Sequence, residues 1–145
     1  MRMPFPKYPV LALLMGGSLA ASGASAQDSK AQKAEPEADS PVGVWRGESV
    51  CTTGAPSCYD EKVVYYIEAI ADKPDSVSIR ADKIVQGKAI TMGSGPWQYN
   101  RTRHTLSMES EQRIWLLNIS GKRIEGTLTL PGNVVFRRMT LTRGD

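Results

Sequence analysis

From Val42 to the end of the chain, apolar and polar residues alternate in short runs separated by turn residues. This period of two is what most constrains the fold. Side chains on a strand point alternately to opposite faces, whereas a helix needs apolar residues three and four apart. Residues 43–51 predict a first strand with Trp45, Gly47, Ser49 and Cys51 on one face. Residues 61–70 predict the strongest strand: Val63, Tyr65, Ile67 and Ala69 point one way, and Val64, Tyr66 and Ile70 the other. Lys73-Pro74-Asp75-Ser76 reads as a turn, because proline pre-sets the backbone angle at a turn's second position. Val77, Ile79 and Ala81 then alternate, and Gly87 permits a reversal before Ala89–Met92. Gly93-Ser94-Gly95-Pro96 reads as an interruption, followed by a short strand carrying Trp97 and Tyr99. After a polar turn at 100–103, Leu106 and Met108 alternate with polar neighbours, and residues 113–119 form another apolar strand. Ser120-Gly121-Lys122 turns the chain. Ile124, Gly126, Leu128 and Leu130 follow, and Pro131-Gly132 leads into a last strand with Val135, Arg137, Met139 and Leu141 on one face.

Regularly spaced short strands joined by short turns specify an all-β sandwich or barrel. Closure removes exposed edges and favours the barrel for a soluble monomer. The expected fold is therefore a single antiparallel up-and-down barrel of about eight short strands over residues 41–145. Gly47, Ser49, Ala69, Ala81 and Gly126 fall on inward faces. An eight-stranded barrel is just wide enough to be filled by side chains or to hold one small ligand. These small residues either leave a pocket or make room for Trp45, Trp97, Trp115 and the tyrosines.

The segment before the strands has a different logic. Arg2 and Lys7 precede a broken apolar run from Val10 to Ala20, and Ala24-Ser25-Ala26 follows. A basic start, a short apolar core and a small-residue A-x-A site are the marks of a secretory signal peptide, here 1–26. The leader has a bacterial look, so the expected destination is the periplasm or beyond. Residues 27–40 carry no large apolar side chain and are rich in Ala, Glu, Asp and Lys, which reads as a disordered tether. No second long apolar segment suggests a stable membrane anchor. With the leader and the tether set aside, the domain carries the same net charge as the whole chain, +3. That is far from the basic footprint of a nucleic-acid binder.

Cys51 and Cys58 are the only cysteines, and an even count in an exported chain predicts a disulfide. The bridge would pin the loop TTGAPS between them. His104 is the single histidine and lies far away in sequence, so no metal site is expected. No catalytic constellation stands out either: there is no G-x-S-x-G elbow. Asp60-Glu61 and Glu109/Glu111 read as solvated acids. No cofactor is implied.

Gly43-Val44-Trp45 opens the first strand as the G-x-W motif opens lipocalin-like (calycin) barrels, and the chain resembles that group in its whole 41–145 layout. The resemblance implies that an arginine on the last strand packs across the tryptophan and closes the barrel bottom. Arg137 is the match, with Arg138 next, and the physical basis is the attraction of a guanidinium to an indole face. The chain also resembles small exported bacterial domains of unknown function, a resemblance that assigns no activity.

The first functional expectation is an exported, non-enzymatic binding module. Its partner would be a small apolar or amphipathic molecule or an envelope component, with Tyr65, Trp97 and Trp115 as apolar contacts. The second is a protein-interaction module, such as an inhibitor of a secreted hydrolase, with the Cys51–Cys58 loop as a pre-organised probe. A purely structural envelope role is the third.

Overall fold

The computed structural model describes residues 40–144. The expected leader, and all of the expected tether except Ser40, lie outside the described residues. The described residues form eight strands: β1 (Gly43–Cys51), β2 (Glu61–Ile70), β3 (Lys73–Val85), β4 (Lys88–Asn100), β5 (Thr105–Ser110), β6 (Arg113–Ser120), β7 (Arg123–Leu130) and β8 (Val134–Arg143). Each pairs antiparallel with the next, and β8 returns to β1, closing the barrel. The described residues contain no helix long and apolar enough to cross a membrane.

Two expected breaks are not breaks. The reversal after β2 falls at Ala71 and Asp72, and Lys73–Ser76 already belongs to β3. Asp72 takes a left-handed backbone angle (φ 61°), which Asp tolerates better than most residues. That makes a tighter turn than the one Pro74 suggested, and a register shift at Ala69/Ile70 absorbs the difference. Gly93–Pro96 likewise runs through β4, pairing with Ala81, Arg80, Ile79 and Ser78 of β3. The uninterrupted partner strand overrides the weak strand preference of glycine and proline, and a bulge between Ala81 and Asp82 takes up Met92.

The alternation places one row of every strand inside. Trp45, Leu106, Leu117, Ile124 and Leu141 are completely buried, with Val63, Ile67 and Ile79 almost so. Gly47 and Gly126 serve close strand approach. A Cβ at Gly47 would lie 1.9 Å from the Thr140 carbonyl oxygen, and one at Gly126 would lie 2.2 Å from Leu117 Cδ2. These positions are filled by neighbours and leave no pocket.

Trp45 plugs one end of the barrel. Its indole N–H donates to the Pro41 carbonyl at 2.7 Å. The arginine across its face is Arg143, 4.4 Å from the ring centre, and not Arg137 as the resemblance implied. Register explains the correction. Trp45 pairs directly with Arg143, whereas Arg137 pairs with Cys51. Six residues along a strand is a separation of about 20 Å, so Arg137 belongs to the opposite end of the barrel.

At that opposite end the wall is uneven. β4 meets β5 only at Gln98–Ser107, Tyr99–Leu106 and Asn100–Thr105. Beyond these pairs the two strands part.

Candidate ligand-binding cavity

The end away from Trp45 holds a cavity of about 680 Å³. Three strands deliver its aromatic lining: Tyr65 from β2, Trp97 from β4 and Trp115 from β6. These are the three residues that sequence singled out as ligand contacts, and the barrel brings them to one space. Each sits on the inward row of its strand: Tyr65 pairs with Ala81, Trp97 with Val77, and Trp115 with Leu128. Ile79, Met108, Leu128 and Met139 complete the apolar surface. Space remains because Ser49, Ala81, Gly93 and Gly95 contribute almost no side-chain volume to the same wall. Of the small residues placed inward by sequence, Ser49 and Ala81 line this cavity. Ala69 is exposed and borders a separate hollow of about 120 Å³.

The rim is charged and ordered. Arg137 turns into the barrel, where its Nη1 lies 3.3 Å from Glu61 Oε2 and donates to Ser49 Oγ at 3.2 Å. Its Nη2 donates to the Tyr59 carbonyl at 3.1 Å. Lys83 donates to the other oxygen of Glu61 at 3.3 Å. One half-buried carboxylate therefore bridges two cations, and the trio keeps a net charge of +1. A charge this far from water needs such partners. Arg113 also faces the cavity from the inward row of β6, and Glu109 of β5 borders its mouth.

Tyr65 sits beneath this cluster with its hydroxyl directed at Met139 Sδ, 3.4 Å away. Burial pushes its phenol up to about 12; Arg137 opposes the shift and Glu61 adds to it. The phenol stays protonated at ordinary pH and acts as a polar spot in an apolar wall.

The predicted disulfide is formed: Cys51 and Cys58 are bridged with S–S 2.07 Å. The loop is held by more than the bridge. Asp60 Oδ1 accepts from the Cys51 N–H at 2.8 Å. The Thr52 N–H donates to the Phe136 carbonyl at 3.1 Å. With Arg137 on the Tyr59 carbonyl, these contacts fix the loop to the rim on the β1/β8 side.

Asp60 and Glu61 do not act as a pair, since one fastens the loop and the other lines the cavity. His104 lies in the turn before β5, at the Trp45 end, where its carbonyl accepts from the Ile119 N–H at 2.8 Å. Among the described residues, no group of three or more His, Cys, Asp or Glu side chains is placed to hold a metal ion.

Sequence reasoning missed Gly93 and Gly95 as wall residues, because it read them as a turn. It also missed Arg113 and Glu61 as rim residues. Their signal was the continuation of the inward row of each strand past its apolar part. No protein-family model, curated protein or solved structure matches this chain.

Proposed function

We propose that this chain is an exported, non-enzymatic binding module that takes a small apolar or amphipathic molecule into the open end of its barrel. The observation that carries this reading is the convergence of Tyr65, Trp97 and Trp115 on one cavity of about 680 Å³. Ligand sites are typically concave, mostly apolar spaces of roughly 300–1,000 Å³ with a few placed polar groups. The polar groups here are the Tyr65 hydroxyl and the Arg137–Glu61 pair. An amphipathic molecule would bury its apolar part against the indoles and keep its polar end at the rim. The Cys51–Cys58 bridge is compatible with an oxidising compartment, and we place the working protein in the bacterial periplasm or outside the cell.

The test is the exported protein titrated with a neutral naphthylamine dye, followed by quenching of tryptophan emission. Saturable binding that weakens at least about tenfold in Trp97→Ala and Trp115→Ala is expected, a loss of about 1.4 kcal/mol or more each. A native mass spectrum of the gently purified protein would add the identity of any retained small molecule. Absence of dye binding together with a bare polypeptide mass overturns the reading.

A second reading is favoured by the rim loop. A loop fixed by a disulfide, a carboxylate cap and Arg137 loses little entropy on docking, as suits an inhibitor of a secreted hydrolase. Replacing residues 52–57 with a Gly/Ser linker separates the two: dye binding survives, and capture of a hydrolase is lost.

A further inference from the structure

Beyond Trp97 the barrel wall has an opening with a lip on each side. One lip is β4, which keeps its ladder to β3 from Gln98 back to Lys88 but has no partner on its other edge before Gln98. The other lip is the end of β5, where Met108, Glu109 and Ser110 pair only with β6. Both lips border the cavity. Each is a row of backbone donors and acceptors without a strand partner among the described residues.

Pro96 shows which atoms the β4 lip offers. A proline is tolerated in a sheet where its missing N–H would have faced an open edge. The ladder to β3 is intact at Pro96, which pairs with Ser78. The nitrogen of Pro96 therefore faces the opening. Alternation along the strand directs the N–H and C=O of Ser94 to the same side. On the inner face, a Cβ added at Gly93 or Gly95 would meet nothing within 4 Å, so the cavity side of this lip has room for a partner's side chain. Charges, prolines and bulges all blunt sheet edges; residues 89–97 carry no charge, and the bulge at Met92 and Pro96 leave Ser94 between them as the open pairing position.

We propose that an extended peptide lies in this opening as an added strand. Its backbone pairs with β4 at Ser94, one apolar side chain enters the cavity between Trp97 and Trp115, and a carboxylate reaches Arg113. Only another extended backbone repeats donors and acceptors at strand spacing along such a lip. A small molecule can fill the cavity and leave the lip unmet. The carboxylate follows from charge. Arg113 is exposed on the inward row two residues before Trp115, faces the cavity, and makes no ion pair among the described residues. Rim cations such as this one set partner choice and association rate. The site goes beyond the small-molecule reading and shares part of its space.

The probe is a short acetylated peptide of alternating threonine and valine, with one central phenylalanine and a C-terminal aspartate. A matched peptide carries N-methyl groups on alternate amides, which keeps the side chains and removes the backbone donors of one edge. Both are titrated into the isotopically labelled, disulfide-bonded chain, and amide hydrogen exchange is read residue by residue. Binding of the first peptide should slow exchange at Ser94 by roughly tenfold or more, and N-methylation should weaken binding by a similar factor, the size expected for one or two backbone hydrogen bonds. Arg113→Gln should weaken the peptide several-fold but leave a C-terminally amidated, aspartate-free version unchanged. Ser94→Pro should abolish peptide binding while leaving dye binding in the cavity intact.

Equal affinity for the two peptides, unchanged exchange at Ser94, or no binding at millimolar peptide would each overturn the added strand. Dye binding without peptide binding defeats this proposal alone. Peptide binding without dye binding defeats the small-molecule reading alone.

Discussion

The Arg143 guanidinium lies 4.4 Å from the centre of the Trp45 ring, directly across the β1–β8 ladder. The same group donates to the Val42 carbonyl at 2.6 Å and to the carbonyl of Ser40. One side chain thus ties the last strand to the first strand and to the segment that enters it. Under it, the completely buried indole donates to Pro41.

Arg143→Ala should therefore destabilise the barrel by about 2–3 kcal/mol, combining a cation–π contact worth ~0.5–2 with hydrogen bonds from a charged donor. Arg143→Lys should recover less than half, because an ammonium cannot cover the ring and serve two carbonyls at once. Urea unfolding followed by tryptophan emission measures both. Full recovery by lysine would show that charge alone matters at this end.

Two glycines should resist substitution where two others accept it. At Gly47 an added Cβ meets backbone, 1.9 Å from the Thr140 carbonyl oxygen and 2.9 Å from Leu141 Cα, and backbone cannot swing aside. At Gly126 the nearest atom is Leu117 Cδ2 at 2.2 Å, with the Leu116 carbonyl oxygen behind it at 2.9 Å. Overpacking of this kind costs about 1–3 kcal/mol or more. Gly47→Ala should cost the most and Gly126→Ala somewhat less. Gly93→Ala and Gly95→Ala, with open space around them, should stay within about 0.5 kcal/mol of the parent. Thermal unfolding of the four variants gives the order.

The contrast shows what was legible in sequence. Alternation placed Tyr65 on one row with Val63 and Ile67, and it put Trp97 and Trp115 on strands without fixing which way they face; the pairing of each strand with its neighbours sets all three inward. The limits of β1 and β2 were equally plain. The sequence could not show that Pro74 starts a strand or that Gly93–Pro96 continues one, since those choices are settled by the partner strand. It could not choose among arginines on β8 either. Arg137 and Arg143 share a face, and only the stagger between β1 and β8 brings Arg143 to Trp45. The open β4–β5 seam left one mark, Pro96, whose missing N–H suits an open edge, but that proline was read as a break in the strand.

The disulfide should add stability without specifying the fold. The bridge spans a separation of seven residues. Loop-closure entropy for so small a ring is worth about 2–3 kcal/mol. The loop keeps four further attachments when the bridge is gone: Asp60 to Cys51, Thr52 to Phe136 through its N–H and to Val135 through its hydroxyl, and Arg137 to Tyr59. The Cys51→Ser/Cys58→Ser double variant should retain its far-ultraviolet circular dichroism spectrum at 25 °C and lose about that much in urea. A collapse of the strand spectrum would place the loop in the folding core instead of on the rim.

Tyr65 should make the barrel sensitive to alkali. Burial raises its phenol from 10.0 to about 12, and the group is neutral when protonated, so the folded chain holds a proton that the unfolded chain releases first. Above about pH 10 the unfolded state binds fewer protons, and stability must fall as pH rises. The contribution is complete below about pH 10, loses about 1 kcal/mol by about pH 11, and is gone as pH passes about 12. Other tyrosines, lysines and arginines titrate in the same window, so the informative quantity is a difference. Urea unfolding of the parent and of Tyr65→Phe between about pH 9 and about pH 11 should show the parent losing about 1 kcal/mol more than the variant. The phenylalanine keeps the ring in the cavity wall and removes only the hydroxyl and its contact to Met139 Sδ. Parallel pH curves would mean that water from the cavity reaches the Tyr65 hydroxyl. The polar spot in the apolar wall would then be open to a ligand's own hydrogen-bonding group.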